Sequence, residues 1–375
     1  MTGCAWRISV ILTALGGLSP SAHAGALRKA WEVDLRKSVH RSEGSPDFPV
    51  FALRYSPDGR KVAVIADVYE THGGRMSRLL VIDTDHPSGK VAQFEIQFGI
   101  LEDENGRGVA LNFGWAPSGQ IIYAVGKVIH LADATTCKLP NQSVFISDHL
   151  AISTQSYRPP LYSSSTKVTF FDQNCAMRDE WEVPEGWVIS DVSADRRLLS
   201  VLREERTNVL ESLIVDPLAR RVLQRWPIRG TWDPAWEFAD SGKAVCTGAN
   251  VLQSDRAPAI CRNVDTGKEI SETHDSNGAE PIATAARASR LVVSDYRRKK
   301  IPFEYEYGAT FKGRVAWDFG TGQQLASWYP DSETYTNVFK PTKQVTEPFR
   351  FAMSPDGQYV AEGGNGIVRL YKIEP

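Results

Sequence analysis

The stretch FALRYSPDGRKVAVIAD, from Phe51 to Asp67, returns near the end of the chain as FRFAMSPDGQYVAEGG, from Phe349 to Gly364. In both copies an apolar segment leads into Ser-Pro-Asp-Gly, and a second apolar segment follows. Proline fixes φ at about −65°, aspartate hydrogen-bonds its own backbone, and glycine accepts a positive φ, so the tetrapeptide is typical of a tight turn. The stretch therefore predicts two antiparallel strands joined by a hairpin turn.

Weaker copies of this turn divide the rest of the chain into repeats. Seven turns lie between two apolar segments: YSPDGR at Tyr55, WAPSGQ at Trp115, ISDHLA at Ile146, VSADRR at Val192, FADSGK at Phe238, ARASRL at Ala286 and MSPDGQ at Met353. The dense apolar segment after each turn indicates a strand buried on both faces. In six repeats another apolar segment ends on an aspartate, at Asp83, Asp133, Asp172, Asp216, Asp265 and Asp318. A more polar strand follows, clearest in KVAQFEIQF, where apolar and polar residues alternate.

Four antiparallel strands per repeat, with buried inner strands and a half-exposed outer strand, are typical of a propeller blade. The six aspartates are separated by 50, 39, 44, 49 and 53 residues, close to the roughly 40 to 50 residues of a blade. The sequence therefore predicts an all-β fold, a seven-bladed β-propeller of four-stranded antiparallel blades. The last repeat ends one strand short, and we expect LRKAWEVDLRK, the mature N-terminal strand, to close the ring.

The SPDG turns and the later apolar strands that end on aspartate resemble those of bacterial WD-repeat-like β-propellers. The resemblance extends over the whole chain after the first residues and implies the propeller fold. It leaves the function open, because such blades occur in envelope translocation proteins, in propeller caps of peptidases and in stand-alone binding proteins. The Trp-Asp pair typical of the family occurs here only as Trp317-Asp318, and its Gly-His pair is absent.

The N-terminal residues predict an exported protein. Arg7 precedes an apolar run from Ile8 to Leu18, and Ala22-His23-Ala24 has the small residues of a cleavage site. This pattern is typical of a secretory signal peptide, so we assign residues 1–24 to the signal and 25–375 to a single propeller domain. No later segment has the length of apolar sequence that spans a membrane, and we expect a periplasmic or extracellular protein without a membrane span.

Four cysteines remain after the signal, an even number that suits disulfides in an oxidising compartment. Cys246 and Cys261 fall on the second and third strands of the fifth repeat, which are adjacent, so we expect their sulfur atoms to meet. Cys137 and Cys175 occupy turns of the second and third repeats, and elimination alone suggests that they pair. Their spacing does not match that of zinc ligands.

The connections between strands differ in length on the two faces of the predicted ring. Turns between the first and second strands are short. The long connections lie between the second and third strands or between repeats, at Val68 to Met76, Ile100 to Gly108, Gln155 to Thr166, Arg229 to Trp236, Ser294 to Gly313 and Tyr329 to Pro348; we call their side the long-loop face. Long loops in a compact domain are usually functional. Tyrosine, tryptophan and arginine dominate binding hot spots, and together with one histidine the candidates on this face are Tyr69, His72, Tyr157, Arg158, Tyr162, Trp187, Trp232, Trp236, Tyr296, Arg297, Arg298, Tyr305, Tyr307 and Tyr335.

The sequence contains no GxSxG, HExxH, P-loop or complete GxGxxG motif, and we predict no cofactor and no metal. The net charge of −2 gives no electrostatic reason to expect nucleic acid. We therefore expect a non-enzymatic propeller that binds a protein, peptide or glycan through the long-loop face. The alternative is a metal-dependent propeller hydrolase or lactonase at the axial mouth of that face, with metal ligands drawn from Glu70, His72, Glu204, Asp233 and Asp295.

Overall fold

The computed structural model describes 27–37, 50–69, 75–87, 89, 91–96, 113–124, 126–140, 143–157, 165–205, 208–227, 236–247, 259–272, 279–300, 307–328, 350–364 and 366–374. These residues form seven four-stranded antiparallel sheets, and within them there is no α-helix, only 3₁₀ turns at Leu35–Lys37 and Asp240–Gly242. The prediction of an all-β, seven-bladed propeller with four-stranded antiparallel blades is confirmed.

The strands are numbered in chain order, and each blade is given from its axial strand outward. Blade 1 contains β2 (Val50–Tyr55), β3 (Lys61–Tyr69), β4 (Arg75–Asp83) and β5 (Ala92–Ile96), and blade 2 contains β6 (Phe113–Trp115), β7 (Ile121–Ala124), β8 (Lys127–His130) and β9 (Thr136–Lys138). Blade 3 contains β10 (Ser143–Ser147), β11 (Leu150–Tyr157), β12 (Ser165–Asp172) and β13 (Met177–Val183), and blade 4 contains β14 (Gly186–Val192), β15 (Leu199–Glu205), β16 (Asn208–Asp216) and β17 (Arg221–Pro227).

Blades 5 to 7 follow the same order. They contain β18 (Trp236–Ala239), β19 (Ala244–Thr247), β20 (Ile260–Asn263) and β21 (Glu269–Glu272); β22 (Ala279–Thr284), β23 (Arg290–Lys300), β24 (Tyr307–Asp318) and β25 (Gln323–Trp328); and β26 (Arg350–Met353), β27 (Tyr359–Gly364), β28 (Ile367–Ile373) and β1 (Leu27–Asp34). The outermost strand of blade 7 thus comes from the opposite end of the chain, and β1 pairs antiparallel with β28 from Leu27 opposite Ile373 to Asp34 opposite Ile367.

The SPDG turn between β2 and β3 shows why its residue types recur. Ser56 is fully buried; its hydroxyl donates to Asp58 Oδ1 at 2.6 Å and accepts from the Lys61 backbone N–H at 2.9 Å. Gly59 adopts a φ of 78°, a conformation that glycine reaches without steric cost. The same serine-to-aspartate bond closes the turns at Ser193 and Ser354, so one side-chain network builds the short turn in three blades.

The core consists of seven apolar clusters, one between each pair of neighbouring blades. The alternation of side chains along a strand explains the arrangement. On β3, Val62 and Val64 pack towards blade 7, whereas Ala63 and Ile65 pack towards blade 2. A strand buried between two neighbours is apolar at every position, which accounts for the dense segments in the sequence.

Both predicted cysteine pairs form disulfides. Cys246 and Cys261 are directly opposite each other on β19 and β20. Cys137 lies on β9 and Cys175 in the turn between β12 and β13, so their bond joins blade 2 to blade 3. The two residues therefore do not occupy equivalent turns, because Cys137 is part of the outermost strand of its blade.

Two local features differ from the sequence pattern. The segment from Ser294 to Gly313, predicted as a long loop, is strand over most of its length, with β23 and β24 paired out to Lys300 opposite Tyr307. In blade 5 the carboxamide of Asn263, not Asp265, accepts the backbone N–H of the following turn, at Thr266, at 2.8 Å. An asparagine at the end of the third strand does there what aspartate does at Asp83 and Asp318.

Candidate functional site

Most of the candidate residues on the long-loop face are placed by backbone alone or lie outside the described residues. Tyr69 ends β3, Tyr157 ends β11, Trp236 begins β18, and four candidates lie on the β23–β24 hairpin: Tyr296, Arg297, Arg298 and Tyr307. Six lie outside the described residues: His72, Arg158, Tyr162, Trp232, Tyr305 and Tyr335. The connections between second and third strands and between successive blades all join on one side of the ring, which is the long-loop face of the structure.

Trp187 lies in the core between blades 3 and 4. Its side chain is 2% exposed and packs edge-on against Trp181, with ring centroids 5.4 Å apart. The indole N–H donates to Glu185 Oε2 at 3.1 Å. Trp187 therefore stabilises the contact between two blades and does not present an exposed surface to a partner.

The hairpin of β23 and β24 extends beyond its sheet. The register of β22 with β23 ends at Ala279 opposite Asp295, and that of β25 with β24 ends at Arg314 opposite Trp328. Five further pairs, from Tyr296 opposite Phe311 to Lys300 opposite Tyr307, continue the hairpin. We call 296–300 together with 307–311 the blade 6 ribbon; among the described strands neither of its edges has a further partner.

A cavity of about 290 Å³ lies on the axis of the propeller, lined by the first strands of all seven blades. Each of these strands runs from the long-loop face towards the short turn that follows it. Residues of those turns, including Ser56, Ala194, Ala286 and Arg287, also line the cavity. Arg287 is exposed and Ala194 is half-buried, so the cavity reaches the surface on the face that carries the short turns, which we call the short-turn face.

At one register position, each of the seven axial strands contributes a residue to a ring that lines this cavity. The position is identified by its partners on the neighbouring strands, for example Arg54 opposite Ala63, Asp191 opposite Ser200 and Glu237 opposite Cys246. The seven residues of this axial ring are Arg54, Gly114, Val144, Asp191, Glu237, Ala283 and Ala352. Three of the seven are charged, although the strands that carry them are otherwise mostly apolar.

The charges of blades 1 and 4 meet across the axis. Arg54 Nη1 lies 3.9 Å from Asp191 Oδ1, and the exposed fractions of the two side chains are 38% and 16%. The separation exceeds hydrogen-bond length, so the contact is electrostatic. Within the described part of the chain the Arg54 guanidinium makes no hydrogen bond, and five N–H donors point into a polar cavity.

The two carboxylates are tied to the next blade by hydrogen bonds. Asp191 Oδ2 accepts from the Phe238 backbone N–H at 2.8 Å, and Glu237 Oε2 accepts from the Thr284 N–H and hydroxyl at 3.1 and 3.2 Å. Burial raises the pKa of both carboxyls, while the nearby positive charge of Arg54 lowers it. The acids therefore link blades 4, 5 and 6 around the axis.

Three further arginines line the same cavity. The Arg196 guanidinium donates to the Phe145 carbonyl oxygen at 3.2 Å; burial lowers the pKa of this side chain, and the charge of Asp191 raises it. Arg287 lies at the short-turn end, and Arg350 lies where β26 begins. Four arginines thus face two carboxylates, which leaves the described lining with a net positive charge.

The residues proposed as metal ligands cannot be compared with the structure. Glu70, His72 and Asp233 lie outside the described residues, and the side chains of Glu204 and Asp295 are likewise not described. Over the part of the chain that the structure does describe, no three His, Cys, Asp or Glu side chains are grouped as metal ligands. In those same residues no helix has the length and apolar character needed to cross a membrane.

The axial ring was missed by sequence reasoning, although the repeat alignment contained a signal for it. Arg54, Asp191 and Glu237 stand two residues before Ser56, Ser193 and Ala239, which begin the short turns of their blades. A charged residue at one fixed place in a buried strand indicates a polar environment at that place. Aligning the turns was enough to find this column, but only the closed ring shows that its members face one another.

Comparison with known proteins identifies the fold and not the family. No family model matches the chain, and no curated protein matches it. Among solved structures, a chain of a mitotic checkpoint complex has a TM-score of 0.54 with 11% sequence identity and covers 100% of this chain and 99% of its own length. The propeller domain of Cps50 (Swd1) from Myceliophteria thermophila has a TM-score of 0.52 with 12% identity, over 93% of this chain and 100% of the domain. The fold is therefore that of a WD-repeat-like β-propeller.

Proposed function

We propose that the protein is an exported scaffold that binds a protein, peptide or glycan partner through its long-loop face and performs no chemistry on it. The observation that carries this proposal is the blade 6 ribbon. Its two strands continue for five residue pairs past the ends of the neighbouring strands of blade 6, so among the described strands both of its edges lack a further partner. Exposed strand edges are a common means of binding extended segments by backbone hydrogen bonds.

The sequence of the ribbon favours an acidic partner. Arg297, Arg298, Lys299 and Lys300 are consecutive on β23, and tyrosines lie at Tyr296 and Tyr307. Basic residues attract an acidic segment over a distance of about 8 to 10 Å at physiological salt, and tyrosine supplies contact area at small entropic cost. An extended acidic segment added to an edge of the ribbon would use both features.

Two further observations support a binding role and export. The similar chain comes from the structure of a mitotic checkpoint complex, and a propeller fold is consistent with binding of a protein partner. The two disulfides suit an oxidising compartment, where such bonds persist. The signal peptide at residues 1–24 and the periplasmic or extracellular location remain parts of this proposal.

The test removes the ribbon and leaves the blade intact. In the variant, 297–310 are replaced by Asn-Gly, a two-residue hairpin turn, so that Tyr296 and Phe311 remain paired. Partners crosslinked to the mature protein in native envelope extract are identified, purified and titrated against both proteins. We expect the isolated partner to bind the intact protein and to lose at least about tenfold in affinity with the variant, which corresponds to about 1.4 kcal/mol.

A control variant changes arginines on the other face. Arg60→Ser and Arg197→Ser remove two exposed positive charges from the short-turn face and should leave the affinity unchanged. Equal binding of the partner by the intact and ribbonless proteins would contradict the proposed surface. Stoichiometric divalent metal in the purified protein, together with hydrolysis of a lactone or ester, would instead establish the enzymatic alternative.

A further inference from the structure

The axial cavity is lined by the first strands of the blades and by the short turns, and its lining is distinct from the blade 6 ribbon. Its lining at the short-turn end includes Pro57, Ala194, Ala286 and Arg287. Several of these are partly exposed, so a ligand has access from the short-turn face. At about 290 Å³ the cavity is near the lower end of the volumes of small-molecule sites.

The cavity lining has more positively charged than negatively charged side chains. The two carboxylates accept hydrogen bonds from the protein, whereas two of the arginines donate none within the described residues. The carboxylates of Asp191 and Glu237 already accept hydrogen bonds from the neighbouring blade. Among the described residues, by contrast, neither Arg54 nor Arg287 donates a side-chain hydrogen bond. The ion pair of Arg54 with Asp191, at 3.9 Å, is longer than a hydrogen bond, so within the described residues the guanidinium N–H groups of Arg54 are available to an incoming acceptor.

We propose that the axial cavity binds a small oxyanion, a carboxylate or phosphate group, that enters from the short-turn face and is held by Arg54. Two oxygen atoms of such a group match the paired N–H donors of a guanidinium. The walls combine polar groups with apolar side chains such as Leu53, Phe113 and Phe238, and the site is partly enclosed, so the charge interaction is screened less than at an open surface. Arg196 and Arg287 add to the positive potential.

Asp191 competes with the anion in this arrangement. Its carboxylate is the ionic partner of Arg54 when the cavity holds no anion, and an entering oxyanion takes over that role. Asp191 keeps its hydrogen bond from Phe238 N–H throughout, so displacement of Arg54 does not leave it without a donor. Removal of the charge of Asp191 should therefore strengthen anion binding, whereas removal of the charge of Arg54 should weaken it.

The experiment measures binding to the folded, disulfide-bonded protein by isothermal titration calorimetry. Inorganic phosphate and succinate are titrated as free anions, and a Gly-Glu-Gly peptide blocked at both ends supplies a carboxylate attached to a chain. We expect at least one of the three to bind with an affinity about 10- to 100-fold weaker in Arg54→Gln, because charge-assisted hydrogen bonds are lost. The same probe should bind more tightly to Asp191→Asn, whose carboxamide oxygen still accepts from Phe238 N–H.

The opposite signs separate a binding site from a damaged fold, since misfolding weakens binding in both variants. Arg60→Gln removes one positive charge from an exposed residue of the same face and should leave the affinity unchanged. Binding of free anions would identify a small molecule as the source of the oxyanion, and binding of the peptide alone would identify an acidic segment. The proposal is overturned if no probe binds, or if Arg54→Gln binds as tightly as the unaltered protein.

Discussion

A single register position of the axial strands supplies three of the six charged residues that line the axial cavity. Arg54, Asp191 and Glu237 occupy equivalent places in blades 1, 4 and 5, whereas Ala283 and Ala352 occupy that place in blades 6 and 7. Small residues in one part of the ring leave room on the axis, and charged residues in the other part project into that room. The repeat therefore places equivalent residues around the axis, and the residue types at this one position determine the charge that each blade adds to the cavity.

Glu237 makes this position sensitive to pH. Burial raises its pKa above the ordinary value of 4.5, so the folded protein binds the proton more tightly than the unfolded chain. The resulting stabilisation is complete below the ordinary pKa and is lost as the pH rises through the raised value. Glu237→Gln keeps acceptors for Thr284 and cannot ionise, so the free energy of unfolding of the variant relative to the unaltered protein should increase as the pH rises.

Urea unfolding at a series of values between about pH 4 and pH 8 measures this difference. Glu95→Gln, which removes one exposed carboxylate on β5, serves as the control for loss of charge alone. A stability difference for Glu237→Gln that stays constant over the series would mean an unshifted pKa, and one that falls with rising pH would mean a lowered pKa; either would contradict the raised pKa of Glu237.

At the scale of the element, sequence reasoning located strands well and their ends poorly. The seven turns predicted from the repeat all join the first two strands of a blade, because the SPDG network is local and can be read from neighbouring residues. The ribbon was read as a loop because Tyr296 to Lys300 lack the alternation of a half-buried strand. Their pairing with Tyr307 to Phe311 depends on continuation of the β23–β24 hairpin, which the local pattern does not encode.

The disulfides act at this scale by tying elements together. The bond between Cys246 and Cys261 closes a link of 15 residues and that between Cys137 and Cys175 one of 38 residues. In the chain-entropy model these lengths correspond to about 3 and about 4 kcal/mol. We expect the double variant Cys246→Ala, Cys261→Ala to lose about 3 kcal/mol in urea unfolding and Cys137→Ala, Cys175→Ala to lose slightly more.

Alanine suits these substitutions because Cys246 and Cys261 are buried and a hydroxyl there would lack partners. The unaltered protein, unfolded with and without a reducing agent, provides an independent value for the two bonds together. If the double variants match the oxidised protein in stability, neither bond constrains the unfolded chain.

At the scale of the whole molecule, the repeat count and blade architecture followed from sequence alone, because every blade obeys the same alternation. The N-terminal strand expected from the sequence is β1, which lies beside β28 and contributes Val33 to the apolar cluster between blades 7 and 1. The candidate site was much harder to predict. Its ring combines Arg54 with residues more than 130 positions away, and no local pattern reports that proximity.

Val33 tests how far the ring depends on its outermost strand. The side chain is 8% exposed and lies opposite Val368. Val33→Asp places a carboxylate against the cluster, and we expect a loss of about 2 to 4 kcal/mol in the free energy of unfolding. Lys29→Asp, at an exposed position of the same strand, should cost less than about 1 kcal/mol.

Hydrogen exchange locates the effect of Val33→Asp within the molecule. Protection of β27 and β28 should fall in this variant and remain unchanged in Lys29→Asp. Unchanged exchange at β28, with unaltered stability, would mean that blade 7 holds together without β1.

The pairing of β1 with β28 also fixes the order of events during biosynthesis. Leu27 and Ile373 lie at opposite ends of the described chain, and a ribosome adding roughly 5 to 20 residues per second produces them between about 17 and 70 seconds apart. During that interval β1 has no partner in its own sheet, and blade 7 does not exist. Pairing of β1 with β28 therefore follows the synthesis of every other blade, and a chaperone that holds the nascent chain unfolded until β28 emerges would keep β1 available for it.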